Sequence, residues 1–385
     1  MKLRFLAIVA LAAACAPSEE ALLEACIESL AMDSTDETFA TYAQFDGEAF
    51  WLFRPESPTD ENYVPGWVAP SWSGYVRERR ACDGTVLSEP ERIGTEGMHV
   101  PWYGQVSHGD RALGYWPEKP ENEWRIGEAY VQLMDRDGSR SDPPVKLASD
   151  DARFASDVAA IADDDGFVVA WHAYDEDVQS IEVARLDPQD GTLRPLFGAQ
   201  PLGDPAERWE LFNVILANEG DAGARVFWAE ANNETGETRL LHRSASGGTT
   251  EQLPLPPYVR WNVARQADKT WVGIDDYGAF TLMDLTGATL AVPSPFGEES
   301  EYVAWLVTVG ERWGVVFVHQ WEPRTSLLML DDDGETVEQI DLPDQVFALD
   351  VIDDTNLMIS GWSPAEEPDS PDIWWTRAMT LGGAQ

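Results

Sequence analysis

The chain has 385 residues, of which 44% are apolar and 11% aromatic, and it carries 69 acidic against 26 basic residues. This length and apolar content can bury a large core, which excludes a disordered chain, a collagen and a small disulfide scaffold. The formal net charge of −43 disfavours nucleic acid and anionic membranes as partners, because their phosphates would be repelled.

The N-terminus has the features of an export signal. A short basic start is followed by an apolar run, Phe5 to Ala14, that ends at Cys15. The run is too short to span a bilayer, and its small residues are typical of a cleaved signal peptide. The final stretch Leu-Ala-Ala-Ala-Cys resembles a bacterial lipoprotein signal, although Ala12 occupies a position where that family prefers Leu.

The resemblance implies a signal peptide at residues 1–14 and lipidation of Cys15, which becomes the first mature residue. Because Ala16 rather than Asp follows the cysteine, it further implies an outer-membrane lipoprotein on the periplasmic side or the cell surface. Only the lipid would contact the membrane. Cleavage by ordinary signal peptidase, after Ala14 or Ala16, is the alternative.

The other two cysteines fit an exported protein. If Cys15 carries lipid, Cys26 and Cys82 remain as an even pair in an oxidising compartment, where a disulfide is expected. Two buried free thiols are the alternative. Residues 19–31 place several apolar side chains on one helical face, which predicts a short amphipathic helix stapled by Cys26 to the hairpin at Cys82. A closing β-strand is the alternative for this segment.

Beyond residue 38 the chain repeats one pattern. Short β-rich runs are separated by tight-turn sequences rich in Gly and Asp, many of them with Asp-Gly or Gly-Gly, which favour the positive φ of a β-hairpin. One turn series begins at Cys82, Asp135, Pro188, Ser246, Leu285 and Asp332. A second series alternates with it and begins at Phe45, Ser107, Ala162, Glu219, Ala267, Val309 and Asp353.

An apolar strand follows each turn of the second series. These strands begin at Ala49, Ala112, Phe167, Ala224, Thr270, Gly314 and Leu357. Four of them end on tryptophan, at Trp116, Trp171, Trp228 and Trp362. Each unit is therefore interpreted as strand a, tight turn, strand b, longer polar loop, strand c, tight turn and strand d.

Seven units of this kind resemble seven-bladed β-propellers as a class. The resemblance implies an all-β fold, a seven-bladed β-propeller of four-stranded antiparallel blades over residues 39–385. A signal peptide and a lipidated segment with a short helix, residues 15–38, precede it. The last unit stops before a strand d, so the N-terminal segment must complete that blade or it has three strands. No subfamily motif is present, and a pair of β-sandwiches is the alternative.

The up-and-down order assigns residues to two faces of the ring. The a–b and c–d turns lie on one side, here called the turn face, and the b–c and d–a connections lie on the other, the loop face. Acidic and aromatic residues are frequent in the loop-face connections, and aromatic rings beside carboxylates suit sugars and cations. Packing between blades and a solvating acidic surface are the structural alternatives for these residues.

The predicted function is a lipid-anchored envelope module, acting as a monomer, that binds or scaffolds a protein, a glycan or a cation through the loop face. The candidate contacts are Trp67, Trp72, Glu121, Trp124, Asp175, Asp177, Trp209, Glu234, Trp321 and Glu322. No catalytic residue and no metal ligand is named. The alternative function is an extracytoplasmic hydrolase, of glycosidase or lactonase type, with carboxylates at the central channel.

Motifs with a defined chemistry are missing from the sequence. It contains no HExxH, GxSxG, GxxxxGK or EF-hand loop, so zinc catalysis, serine hydrolysis and nucleotide use have no local signature. Calcium is a possible cofactor at the acidic runs 163–166 and 331–334, but both runs also fit tight turns. His172 and His319 occupy equivalent repeat positions, and a shared metal or proton-transfer role would require a third partner that the sequence does not identify.

Overall fold

The structure is a computed structural model in which the chain is an all-β propeller. The residues that it describes are 23, 26–27, 31–34, 42–45, 49–55, 75–95, 98–100, 102–120, 127–136, 141–147, 154–175, 178–201, 209–220, 223–256, 259–266, 269–276, 279–297, 302–309, 312–319, 322–342, 345–353, 355–363 and 373–381. All statements below concern these residues.

The described strands form seven antiparallel sheets, here called blades 1 to 7. The first strand, β1 (Ala31–Ser34), belongs to blade 7. Blade 1 consists of β2 (Tyr42–Phe45), β3 (Ala49–Pro55), β4 (Tyr75–Ala81) and β5 (Glu91–Ile93). Blade 2 consists of β6 (Met98–His99), β7 (Gly104–His108), β8 (Arg111–Pro120), β9 (Glu128–Asp135) and β10 (Val145–Lys146). Blade 3 consists of β11 (Phe154–Asp163), β12 (Gly166–Asp175), β13 (Val178–Leu186) and β14 (Leu193–Ala199).

The remaining blades repeat the same order. Blade 4 consists of β15 (Trp209–Asn218), β16 (Ala224–Asn232), β17 (Thr238–Ser244) and β18 (Glu251–Pro254). Blade 5 consists of β19 (Arg260–Gln266), β20 (Lys269–Asp275), β21 (Phe280–Asp284) and β22 (Thr289–Val292). Blade 6 consists of β23 (Tyr302–Val309), β24 (Arg312–His319), β25 (Thr325–Leu330) and β26 (Thr336–Leu342). Blade 7 consists of β27 (Gln345–Val351), β28 (Asn356–Ser363), β29 (Ile373–Thr380) and β1.

Strand a of each blade lies nearest the central axis, and these inner strands bond to one another around the ring. The Asn218 side chain of β15 donates to the carbonyl of Ala162 in β11 at 2.9 Å. Arg265 of β19 donates in turn to the carbonyl of Asn218, also at 2.9 Å. The next link runs from Asn262 to the carbonyl of Leu306 in β23 at 3.2 Å. The predicted propeller is therefore confirmed.

The hydrophobic core is divided between the blades rather than gathered at the axis. Each described core cluster combines residues of two neighbouring blades, such as Val168 of blade 3 with Trp228 of blade 4. Trp116, Trp228 and Trp313 are among the largest fully buried side chains. Large rings fill the wedge-shaped spaces between twisted sheets, which explains why so many tryptophans occur in the b strands.

The tight turns are formed as their glycines predict. Gly84, between β4 and β5, has φ +82°, and Gly166, the first residue of β12, has φ +125°. A side chain at Gly166 would also place its Cβ 2.8 Å from the ring of Pro188. Only glycine adopts this backbone without strain.

An N-terminal strand closes the ring. β1 pairs antiparallel with β29, with Ala31 opposite Arg377 and Ser34 opposite Trp374, so it supplies strand d of blade 7. The propeller therefore uses residues that precede the start expected at residue 39. Leu23, Cys26 and Ile27 have helical backbone, whereas the rest of the predicted helical face lies outside the described residues, and the helix stays a prediction.

The predicted disulfide is confirmed between Cys26 and Cys82. It joins the segment before β1 to the c–d turn of blade 1. Within the part of the chain that the structure describes, no helix has the length and apolar character needed to cross a bilayer.

Candidate functional site

A group of polar residues lies at the loop-face ends of blades 3 and 4, at the junction of the two blades that is here called the cleft. The inner strands that border it are both interrupted, because the pairing shifts register between Ala155 and Val158 in β11 and between Phe212 and Ile215 in β15. Bulges of this kind bend a strand and redirect side chains, and they are frequent beside binding sites.

The two bulges contact each other. The carboxylate of Asp157, in the first bulge, accepts the backbone N–H of Asn213, in the second, at 3.3 Å. Asn213 has φ +52° and is the only non-glycine residue with positive φ in the described chain. A left-handed asparagine is tolerated because its short polar side chain forms local hydrogen bonds.

The blade 3 side of the cleft carries a histidine. His172 of β12 is 8% exposed, and its ring lies 5.6 Å from the ring of Tyr174. Gln179, opposite Tyr174 in β13, accepts the backbone N–H of Leu211 from blade 4 at 2.8 Å. The histidine is thus held in the inter-blade wedge and is not free in solvent.

The charge state of His172 follows from this burial. Loss of solvent lowers the pKa of His172 below its ordinary value, while the charges of Asp157 and Glu210 and a hydrogen bond with Gln179 oppose that change. The imidazole is therefore neutral near pH 7 and offers one donor and one acceptor.

The blade 4 side of the cleft is built on a buried ion pair. The Glu230 side chain is completely buried, and Arg239 Nε donates to Glu230 Oε2 at 2.8 Å. The Arg239 guanidinium also lies 4.1 Å from the centre of the Trp209 ring. This stack, together with the charge-assisted bonds, fixes both strand ends in one geometry.

Together these residues define what the cleft can do. Its described basic group, Arg239, is neutralised by Glu230, whereas the exposed carboxylate of Glu210 lies beside neutral His172. The arrangement supplies acceptors and negative charge to a ligand that donates hydrogen bonds or carries positive charge.

A cavity of about 140 Å³ lies on the other side of blade 4, toward blade 5 on the loop face. Its lining residues are Phe212, Ala231, Asn232, Asn233, Gly236, Thr238 and Val259. The volume is that of a small side chain or a few water molecules. The cavity lies beside the b–c turn of blade 4.

Two carboxylates form structural hydrogen bonds to the inner strands of neighbouring blades. Asp350 of β27 accepts the N–H of Ala43 in blade 1 at 3.0 Å, and Asp275 accepts the N–H of Ala304 in blade 6 at 3.2 Å. Each bond satisfies an inner-strand donor that faces away from its own sheet. Burial raises the pKa of Asp350 to about 7. Burial, with the charge of Asp350, raises the pKa of Tyr115 to about 12.

Among the described residues, no group of three or more His, Cys, Asp or Glu side chains is placed to hold a metal ion. In the acidic run 163–166, Asp163 forms an ion pair with Arg185 at 2.5 Å. In the run 331–334, Asp331 accepts the backbone N–H groups of Asp333 and Glu335. Both carboxylates therefore stabilise turns, and calcium binding stays a prediction.

The ten predicted contacts fall into three groups. Six of them, Trp67, Trp72, Glu121, Trp124, Asp177 and Trp321, lie outside the described residues. Asp175 ends β12 at the cleft, and Trp209 is buried under Arg239. Glu234 and Glu322 are exposed in b–c connections of blades 4 and 6. The structure brings Asp175 and Trp209 to the same cleft and places Glu322 two blades away.

Sequence reasoning missed most of the cleft. Asp157 and Gln179 belong to strands with no unusual composition, and the pairing of Glu230 with Arg239 depends on strand register. His172 was singled out by its repeat position, but its neighbours were not. The signal that was available is the Glu–Arg pair nine residues apart across a b–c turn, which places both side chains on one face of a hairpin.

Comparisons with known proteins identify the fold. No protein-family model and no curated protein matches the chain. A catalytically inactive virginiamycin B lyase from Staphylococcus aureus, solved with quinupristin, is 10% identical, with a TM-score of 0.51 over 90% of this chain and 98% of that one. An α-L-arabinofuranosidase from Fusarium graminearum, solved with an iminosugar inhibitor, is 11% identical, with a TM-score of 0.50 over 73% and 93%. At such identities the likeness supports the seven-bladed fold and nothing beyond it.

Proposed function

We propose that the protein is an envelope-anchored binding module whose loop face recognises a positively charged segment of a partner protein. The observation that carries the proposal is the internal neutralisation of three basic groups on this face. Lys146, Arg239 and Arg324 each lie within 3.4 Å of a carboxylate of their own blade. The exposed carboxylates therefore remain available to an incoming cation.

Three exposed loop-face carboxylates serve as the test. Glu234 and Glu237 lie in the b–c turn of blade 4, beside the cleft and the cavity, and Asp276 lies in the b–c turn of blade 5. The triple variant Glu234→Gln/Glu237→Gln/Asp276→Asn should weaken binding of an oligolysine peptide about tenfold, since exposed charge pairs contribute roughly 0.5 kcal/mol each. Biolayer interferometry at low salt measures the affinity.

A matched variant separates recognition from general attraction. Asp110→Asn/Asp164→Asn/Glu335→Gln removes the same charge from exposed positions on the turn face. It should change the affinity by less than about twofold, because it alters only the screened long-range field. Equal losses from both variants would show that the face is not selective and would overturn the proposal.

The same preparation tests the competing functions. Salt-independent binding of a neutral oligosaccharide would favour a glycan ligand. Release of product from a nitrophenyl glycoside or a lactone would favour the hydrolase. The described inner-strand carboxylates support binding rather than hydrolysis, because Asp157 and Asp350 each accept a backbone N–H of the next blade.

We also propose that a lipid on Cys15 holds the protein in the envelope. Cys15→Ser should leave an unlipidated precursor, detected by mass spectrometry and by loss from the membrane fraction. Unchanged processing of the variant would contradict the anchor.

A further inference from the structure

The N-terminal segment packs on the turn face, at the seam between blades 7 and 1. Cys26 and Ile27 are buried in one cluster with Phe45 and Phe50, which flank the a–b turn of blade 1, and with Met358 of blade 7. The disulfide to Cys82 adds a covalent link to the c–d turn of blade 1 on the same face.

The direction of β1 gives independent evidence that the N-terminal segment lies on the turn face. β29 runs from the loop face toward the turn face, because it follows the b–c connection of blade 7. β1 is antiparallel to it, so Ala31 lies toward the turn face and Ser34 toward the loop face. The chain therefore enters the ring from the turn face.

The reach of an anchor at Cys15 is limited by this geometry. Eight residue steps separate Cys15 from Leu23, which packs against the seam cluster. Eight extended residues span at most about 28 Å. At the seam, β29 has eight residues and spans about 26 Å between the faces. A lipid on Cys15 is consequently tethered from the turn face, and only a fully extended segment would bring it level with the loop face.

The surface nearest the seam combines exposed apolar side chains with a balanced charge. Val86 and Leu87, just after the c–d turn of blade 1, are 49% and 51% exposed. Blade 1 is also locally neutral between residues 75 and 93. Its four basic residues there, Arg77, Arg79, Arg80 and Arg92, match four acidic residues, Glu78, Asp83, Glu89 and Glu91. Other tight turns carry acidic runs, such as 163–165 and 331–333.

We infer that the protein lies on the membrane with the turn face of blade 1 against the lipid surface and with the loop face directed away. The inference rests on the lipid anchor proposed for Cys15. Val86 and Leu87 contact the headgroup boundary, where exposed apolar side chains gain from leaving water. The acidic turns of the opposite blades are tilted away from the bilayer.

Fluorophores attached at three positions test this orientation. Leu87→Cys lies at the proposed contact, Ser246→Cys in the c–d turn of blade 4 across the ring, and Asn233→Cys on the loop face; all three positions are exposed. Cys26 and Cys82 are joined, so the new thiol alone reacts with the dye. The lipidated full chain is reconstituted into phosphatidylcholine vesicles that contain doxyl-labelled lipid.

Quenching should be several-fold stronger at position 87 than at positions 246 and 233, and it should disappear when the lipidated protein is held in unlabelled vesicles. Val86→Cys provides a second contact position if Leu87→Cys does not fold, as judged by its melting temperature. A Cys15→Ser chain in the same vesicles should lose the quenching at position 87.

Equal quenching at all three positions, or the strongest quenching at position 233, would overturn the orientation. An unmodified Cys15 in the mature protein would overturn it as well. Peptide binding by the loop face is measured on the soluble chain, so failure of the orientation leaves that result intact, and failure of peptide binding leaves the orientation intact.

Discussion

At the scale of single residues, the cleft depends on one completely buried carboxylate. Glu230 has its charge balanced by Arg239, and the guanidinium is held against Trp209. A buried ion pair contributes little net stability by itself, but removal of one partner leaves an uncompensated charge in a medium of low polarity.

Arg239→Met should therefore lower the free energy of unfolding by about 3–5 kcal/mol. The double variant Glu230→Gln/Arg239→Met should be less destabilised than Arg239→Met, because it removes the orphaned charge. Urea denaturation of the three proteins measures the difference. If the single and double variants are equally stable, the ion pair is not responsible for the order of the cleft.

Asp350 gives the propeller a pH-dependent bond between blades 7 and 1. Its folded pKa of about 7 lies above the ordinary value, so the folded state holds the proton more tightly than the unfolded state does. This contribution is fully present below about pH 4 and is lost as pH rises to 7. The charge of Asp350 in turn contributes to the raised pKa of Tyr115.

Asp350→Asn should remove this contribution while keeping an oxygen that accepts the N–H of Ala43. As pH rises from 4 to 8, the free energy of unfolding of the wild type should fall relative to that of the variant. The fall should reach at most about 4 kcal/mol, the free energy that corresponds to a rise in pKa from its ordinary value to about 7. Thermal melts across this range provide the measurement. A constant difference would show that folding does not raise the pKa of Asp350.

Individual residues were the hardest features to predict. The tight-turn glycines were identifiable because positive φ restricts the choice of residue. The partners of His172 were not, because Asp157 reaches Asn213 only through two bulges, and an extra residue in a strand has no compositional signature. Six of the proposed contacts lie in b–c connections outside the described residues.

At the scale of elements, the strands and their order were largely predictable. Alternating tight turns and longer loops fix the direction of every strand, and each predicted turn in the described chain separates two paired strands. The inner strand of blade 2 departs from the pattern, since β6 and β7 both pair with β8 at different ends. The aromatic residues Trp102 and Tyr103 lie in the interruption.

The disulfide and β1 fasten the seam together. The disulfide closes a loop of 56 residues, and the entropy that this closure removes from the unfolded chain corresponds to about 4 kcal/mol of stabilisation. Cys26→Ser/Cys82→Ser should lower the melting temperature, and reduction of the wild type should have the same effect. Differential scanning calorimetry of oxidised, reduced and variant proteins makes the comparison. A melting temperature that does not change would show that β1 and the seam cluster suffice.

At the scale of the whole molecule, the formal net charge of −43 opposes compaction through self-repulsion. Increasing sodium chloride from low to molar concentration shortens the distance over which exposed carboxylates repel one another. The melting temperature should therefore stay constant or rise, whereas partly buried pairs such as Arg185–Asp163 lose little. A marked fall would show that surface ion pairs dominate the stability.

The closing strand also determines when the ring can be completed. β1 lies near the start of the chain and its partner β29 near the end, so the last blade contains one of the most distant contacts possible in the sequence. Such contacts are formed late, because loop closure must precede them. If the chain crosses a membrane N-terminus first, blades 1 to 6 form an open arc before the ring closes. β1 then stays unpaired until β29 has emerged.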